Sequence, residues 1–262
     1  MKSRLNKIVF IGAGNVATAI AKALHSKFDI TQVYSYTASS AKKLGTILKC
    51  DYVTDLRAIN KDADIYIIAV KDDVIEKVAS SLSLKGKMVV HTSGSIEMSV
   101  LKNVSDNYGV LYPLQTFSKD SIIKQSIPFC IEGSNGVTKT QVKKLVRALG
   151  GKSYELDSEK RAKLHLAAVF VNNFTNHMFT IANDILNEEN IPFDMLKPLI
   201  EETVAKLERK SPLEAQTGPA LRKDQKTIIK HEKLLKGRPE YLTLYKLLTK
   251  SIQYTSDNAK KL

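Results

Sequence analysis

The stretch Ile8-Val9-Phe10-Ile11-Gly12-Ala13-Gly14-Asn15-Val16-Ala17 decides how the chain is read. Its apolar run predicts a strand, and the Ala-rich sequence that follows predicts a helix. The G-x-G-x-x-A pattern between them has specific mechanics. Gly12 permits the tight turn, Gly14 removes the side chain that would keep a pyrophosphate off the backbone, and Ala17 lets helix pack closely on strand. Helix N-terminal amides then face phosphate oxygens. Gly12, Ala13, Gly14, Asn15 and Val16 are therefore the expected contacts of a dinucleotide. Glycines that merely make a turn are the alternative reading. The apolar strand before them, the helix after them and the βαβ continuation favour the nucleotide.

Outward from this loop, short apolar runs alternate with helical segments over residues 7–156. Strands are predicted at 8–11, 32–36, 64–70, 88–91, 110–112 and 127–132, with helices between them. Such alternation predicts a parallel sheet with helices on both faces. After Asp157 it stops, and helices are predicted over 158–187, 193–209, 221–235 and 239–254. Two domains follow: a dinucleotide-binding Rossmann domain over 1–157 and an all-helical substrate or dimerisation domain over 158–262. In the first long helix, Leu164, Ala167, Ala168, Val171, Thr175, Met178, Ala182 and Ile185 form one apolar stripe at helical spacing. That helix is longer than one small domain needs, which predicts packing across a homodimer.

Composition narrows the class. The 262 residues are 43% hydrophobic and 26% charged, as in an ordinary globular protein. No run of 18 apolar residues occurs, so no membrane span is expected. Lys2, Arg4 and Lys7 before an apolar stretch imitate a secretory signal, but Gly12, Gly14, Asn15 and Lys22 interrupt it. Cys50 and Cys130 lie far apart without metal spacing, so neither disulfide nor metal is expected, and the location expected is cytoplasmic. The formal charge of +13 attracts anions. Its lysines are nevertheless dispersed, with no block interleaved with aromatics, and nucleic acid is not expected as the ligand.

The end of the second predicted strand bears on the choice of cofactor. An NAD site usually places an acid there for the ribose 2′-hydroxyl. This chain has Tyr34-Ser35-Tyr36-Thr37-Ala38-Ser39-Ser40, without an acid. Ser35, Thr37 and Ser39 are the expected contacts of a 2′-phosphate, with Lys43 nearby, and NADP is the expected cofactor. The same hydroxyls also suit a helix cap. An arginine, usual in NADP sites, is replaced by Tyr36.

Several further segments occur in a telling order: His91-Thr92-Ser93-Gly94, Tyr112-Pro113-Leu114-Gln115-Thr116-Phe117-Ser118, Pro128-Phe129, His165 through Asn173, and Thr217-Gly218-Pro219-Ala220 with Arg222 and Asp224. With the glycine loop they resemble a bacterial family of Rossmann-like NADP oxidoreductases with a C-terminal helical domain of unassigned function. The family is similar in layout to pyrroline-5-carboxylate reductase, the deazaflavin-dependent NADP oxidoreductases and ketopantoate reductase. The resemblance covers nearly the whole chain. It implies a second domain of the 6-phosphogluconate-dehydrogenase C-terminal type, commonly in a dimer, but identifies no reaction.

Ligands of open parallel sheets lie beyond the carboxyl ends of the strands. Val70 is expected to abut the cofactor, with His91, Thr92, Ser93 and Gly94 at its nicotinamide end, where His91 and Ser93 are also catalytic candidates. A histidine ending a strand also fits a structural role. On the long helix, His165, Val169, Asn172 and Asn176 share one face at 100° per residue. Reduction of a carbonyl or imine needs a proton donor beside hydride transfer, and histidine titrates in the useful range. His165, with Asn172, is thus a catalytic candidate, against the alternative of an interface hydrogen-bonder. Arg222 either meets an acidic substrate or pairs with Asp224. Two functions remain: an oxidoreductase moving a hydride to or from a small carbonyl, imine or hydroxy compound, and a non-catalytic NADP(H)-binding regulator.

Overall fold

The computed structural model describes residues 6–118 and 127–259. They divide into two compact units, residues 1–173 and 174–262.

The described residues of the first unit form eight strands: β1 (Lys7–Ile11), β2 (Asp29–Tyr34), β3 (Asp51–Val53), β4 (Ile65–Ile68), β5 (Met88–His91), β6 (Asn107–Pro113), β7 (Pro128–Gly133) and β8 (Lys152–Glu155). They lie in the order β3-β2-β1-β4-β5-β6-β7-β8. The six strands from β1 to β6 are parallel, as expected of a Rossmann sheet. β7 turns antiparallel to β6, and β8 pairs parallel to β7.

Alternation along β1 explains how both faces are covered. Ile8 and Phe10 join one apolar cluster with helices α1 (Asn15–Leu24), α2 (Ala38–Leu48) and α4 (Gly136–Ala148). Val9 and Ile11 join another, with α3 (Asp72–Ser80). Successive side chains of a strand point to opposite faces, so an unbroken apolar run requires helices on both.

Helix α5 (Ser158–Ala168) continues into a π-helical segment, Val169–Phe174, and then into α6 (Thr175–Asn187). α5 packs on the sheet, and the first compact unit accordingly runs on to Asn173. Leu164 rests against Val110, Tyr112 and Cys130, and Arg161 is wholly buried beside Glu132. The π segment also corrects the expected single straight stripe. Its wider turn breaks the 100° phase, and Val171, assigned to the core, is 75% exposed.

The second unit is all-helical among the described residues: α6, α7 (Lys197–Ala205), α8 (Pro212–Ala215), α9 (Gln225–Leu234) and α10 (Pro239–Ala259), with short 3-10 turns. Its local chemistry is well formed. Ser211 and Glu214 make a capping box at α8. Asp224 caps α9 by accepting from the Thr227 backbone N–H at 3.1 Å and its hydroxyl at 2.7 Å. Lys223, in the left-handed region at φ 55°, reaches Asp257 at 2.9 Å. No described helix is long and apolar enough to cross a membrane.

Candidate active site

A cleft of 1110 Å³ opens at the carboxyl ends of the parallel strands, within the first unit. Its floor is the glycine loop, and two glycines there do different work. Gly12 has φ +124°, and a Cβ on it would stand 2.2 Å from the Ala69 carbonyl oxygen. No side chain fits. Gly14 is extended, at φ −79° and ψ −171°, and a Cβ on it would project into open space. α1 starts directly after it, without a side-chain cap and without an acid in its first turn. Its first amides thus have no competing carboxylate, and the space before them suits a pyrophosphate. These observations fit a dinucleotide.

Of the expected cofactor contacts, Gly12, Ala13, Gly14, Asn15, Val16, Ser35, Thr37, Val70 and Thr92 line the cleft. Ser39 does not. β2 ends at Tyr34, two residues earlier than predicted, so α2 starts at Ala38 and its first turn presents Ser40 to the cleft instead. Thr37 is the N-cap residue of α2 by position, yet its side chain makes no cap hydrogen bond. Both strand-end hydroxyls therefore stand by a helix N-terminus that has no acid in its first turn.

His91, Ser93 and Gly94 are placed behind the cleft wall. His91 is 0% exposed, and its Nδ1 accepts from the Ser93 backbone N–H at 3.2 Å. Burial, reinforced by the Arg161 guanidinium, pulls its pKa down to about 4, against a smaller opposing effect of the Glu97 backbone. Its Nε2 has no partner in hydrogen-bonding geometry. It is a neutral interior histidine rather than the cleft-lining group expected. The Ser93 hydroxyl accepts from the Ser95 and Ile96 amides at 3.1 and 3.0 Å, fixing the turn after β5. Gly94 serves this wall from behind: a Cβ there would stand 2.6 Å from His165 Nδ1 and 2.8 Å from Tyr112 Cζ.

His165 lines the cleft with Ala168, Val169, Val171, Asn172 and Asn173. The face expected to carry Asn172 and Asn176 instead carries Val171, Asn172 and Asn173, because six residues wind as a π-helix. Opposite stands Tyr112, at the end of β6, whose hydroxyl and His165 Nδ1 are hydrogen-bonded at 2.9 Å. The rings meet edge to face at 79°. Burial pushes the Tyr112 phenol up to about 12, so it stays protonated near neutral pH. The sequence reading missed Tyr112 as a site residue, although a phenol at the carboxyl end of a strand was the available signal. No group of three His, Cys, Asp or Glu side chains able to hold a metal stands among the described residues.

Glycine loop, acid-free second strand and cleft-lining His–Tyr pair together define a Rossmann-type NADP oxidoreductase class. Residues 7–94 match the family described as NADP oxidoreductase, coenzyme F420-dependent, and residues 127–252 match a domain of unknown function, DUF2520. A Bacteroides fragilis protein provisionally described as an NADP oxidoreductase is 42% identical, with a TM-score of 0.87 over 95% of this chain and 98% of that one. The chain belongs to the family of that protein, the NADP oxidoreductases in which this Rossmann domain is joined to the second domain. Fold likeness extends further. 1-Pyrroline-5-carboxylate reductase of Streptococcus pyogenes has 19% identity and a TM-score of 0.66, over 98% of this chain and 99% of that one. A reductive aminase of Aspergillus terreus, in complex with NADPH and ethyl levulinate, has 17% identity and a TM-score of 0.71, over 95% and 94%. No curated protein matches by sequence.

Proposed function

We propose that the chain binds NADP(H) in this cleft and moves a hydride to or from a small carbonyl, imine or hydroxy compound, with His165 managing the proton. The single observation that carries this reading is the His165–Tyr112 pair on the wall of the cleft that begins at the glycine loop. When bound, NADP(H) would supply or accept the hydride. The protein's own residues bind, orient and hold protons.

Gly12 and Gly14 would admit the pyrophosphate of NADP(H), and Ser35, Thr37 and Ser40 would hold the 2′-phosphate. His165 is the proton carrier. Its Nδ1–H donates to the Tyr112 oxygen, and its Nε2–H is the proton delivered as the substrate oxygen or nitrogen gains negative charge. After delivery, Nδ1–H stays on Tyr112, so the vacant lone pair lies on Nε2 and takes a proton from solvent. A phenol serves here because, at about 12, it neither ionises nor draws the Nδ1 proton away. Asn172 and Asn173 offer amide groups for orienting the substrate.

The test is NADPH fluorescence on titration, followed by a screen of carbonyl and imine substrates with the wild type and His165→Ala. Turnover that falls roughly 10²- to 10⁴-fold in the variant, at unchanged NADPH affinity, supports the reading. Binding without turnover on any substrate points to the non-catalytic regulator, and absence of binding removes both.

We propose further that a second copy of the chain covers the helical unit. Among its described residues only Ala220 and Ile228 are buried hydrophobics, and α6 buries none. Met195 is 69% and Leu234 81% exposed, with Leu199, Val204, Leu207 and Leu247 also in solvent. Helices with so little interior need another layer, and symmetric pairing supplies one. Sedimentation at micromolar concentration should give twice the chain mass; a monomer would end this proposal.

A further inference from the structure

Arg161 is 0% exposed, although it carries a permanent charge and sits on a helix with no other buried residue. Its guanidinium is fully engaged by three separate parts of the chain. Nε donates to Glu132 on β7 at 3.1 Å. One terminal nitrogen donates to the carbonyls of Gly94 and Ile96 at 3.4 and 3.2 Å. The other donates to Ile96 at 2.6 Å and to the Ser158 hydroxyl at 3.2 Å, and pairs with Glu132 at 3.0 Å. Ser158 in turn donates to Glu132 and accepts the Met98 amide at 3.1 Å.

Two features of this arrangement bear on His165. It lies four residues after Arg161, one helical turn further along the same side of α5. Gly94, whose carbonyl Arg161 holds, is the residue against which the His165 and Tyr112 rings pack. One side chain therefore clamps both the helix that carries the histidine and the turn that limits where its ring can go. A buried ion pair is weak as a source of stability, whereas a planar five-donor fork is strong as a device for fixing geometry.

We propose that Arg161 is a positioning residue of the site: by holding Glu132 and the Gly94 and Ile96 carbonyls at once, it fixes α5 against the turn after β5 and so sets the His165–Tyr112 hydrogen bond. The proposal rests on the reading of His165 as the proton-carrying residue, and its test separates the two. Arg161→Met with Glu132→Gln removes both charges together, leaving no uncompensated ion. The readout is the ¹⁵N signal pair of the His165 imidazole in histidine-labelled full-length protein, assigned with His165→Ala. In the wild type it should report a fixed Nδ1–H tautomer in the neutral ring. In the double variant the two nitrogens should shift towards averaged values, with NADPH affinity within about twofold, because the glycine loop is untouched. Turnover should fall about 10- to 100-fold in kcat with little change in KM. An unchanged His165 signal in a folded double variant overturns the proposal. If that variant does not fold, Arg161→Lys, which keeps the charge but cannot fork, is read in the same way. Full turnover in His165→Ala would instead sink the reading of His165, whatever the spectra show for Arg161.

Discussion

The side-chain amide of Asn15, in the first turn of α1, donates to the backbone carbonyl of Phe117 at 3.0 Å, across 102 residues of sequence. It ties the glycine loop to the segment that follows β6, and both line the cleft. Asn15→Ala should lower NADPH affinity about 3- to 10-fold, the range of one lost hydrogen bond, and leave the melting temperature nearly unchanged because the bond is at the surface. Fluorescence titration beside a thermal melt checks both halves.

The two loop glycines should fail in different ways. Gly14→Asp should leave the fold intact and abolish dinucleotide binding, since its side chain enters open space where a pyrophosphate would lie. Gly12→Ala should damage folding itself, because its Cβ meets the Ala69 carbonyl and its φ is positive. Calorimetry with NADP and circular dichroism separate the outcomes. Equal behaviour of the two variants would contradict the geometry.

Ser35→Asp places a carboxylate where β2 gives way to its turn. NADP affinity should fall at least tenfold while NAD affinity holds or rises, because the acid repels a 2′-phosphate and accepts from a 2′-hydroxyl. Competitive titration of the two nucleotides measures the ratio, and an unmoved ratio would place the phosphate elsewhere.

Gly94→Ala puts a methyl group within 2.6 Å of His165 Nδ1. It should reduce turnover 10-fold or more at nearly constant NADPH affinity, and Tyr112→Phe should do likewise by removing the hydrogen-bond partner of His165 Nδ1. Steady-state kinetics on any substrate found by the screen decides this. Wild-type rates in both variants would leave the pair without a catalytic role.

His91 should shape acid stability. Its folded pKa is about 4, below the ordinary 6.5, so the native state prefers the neutral ring. Between those values the unfolded chain binds more protons, and stability therefore rises with pH. The contribution is fully present above about pH 6.5 and is lost as pH falls towards 4, an effect on the order of 3 kcal/mol. Urea unfolding at pH 7 and 4.5 should show this slope in the wild type and a shallower one in His91→Gln. Parallel pH dependences would assign the acid sensitivity to other groups.

What the sequence makes legible here is what local chemistry fixes. The glycine loop is read from ten adjacent residues, and the parallel sheet from the alternation after it. β3 and β8 escape because Asp51-Tyr52-Val53 and Lys152-Ser153-Tyr154-Glu155 carry no apolar run; they are edge strands held by their neighbours' backbones. β2 runs over Asp29–Tyr34 rather than 32–36, and its earlier end is enough to exchange Ser39 for Ser40 at the cleft. The π segment is invisible to a count at 100° per residue, and with it the placing of Val171 and Asn173. Tyr112 and His165 are 53 residues apart, and Arg161 reaches Gly94 across 67. Only the tertiary fold makes such pairs neighbours.

The unequal glycines also bear on how relatives of this chain could drift. Losing Gly12 removes the scaffold, so such a descendant leaves no folded product for selection to act on. Losing Gly14 should spare the fold, since an added Cβ meets nothing within 4 Å, and should cost only the proposed ligand. A descendant with a bulky residue at 14 and glycine at 12 would keep its sheet, its buried Arg161 and its helical unit, free of the cofactor and open to another use. The residue two positions beyond the turn can thus change while the sheet stays as it is, because its side chain would meet only open space.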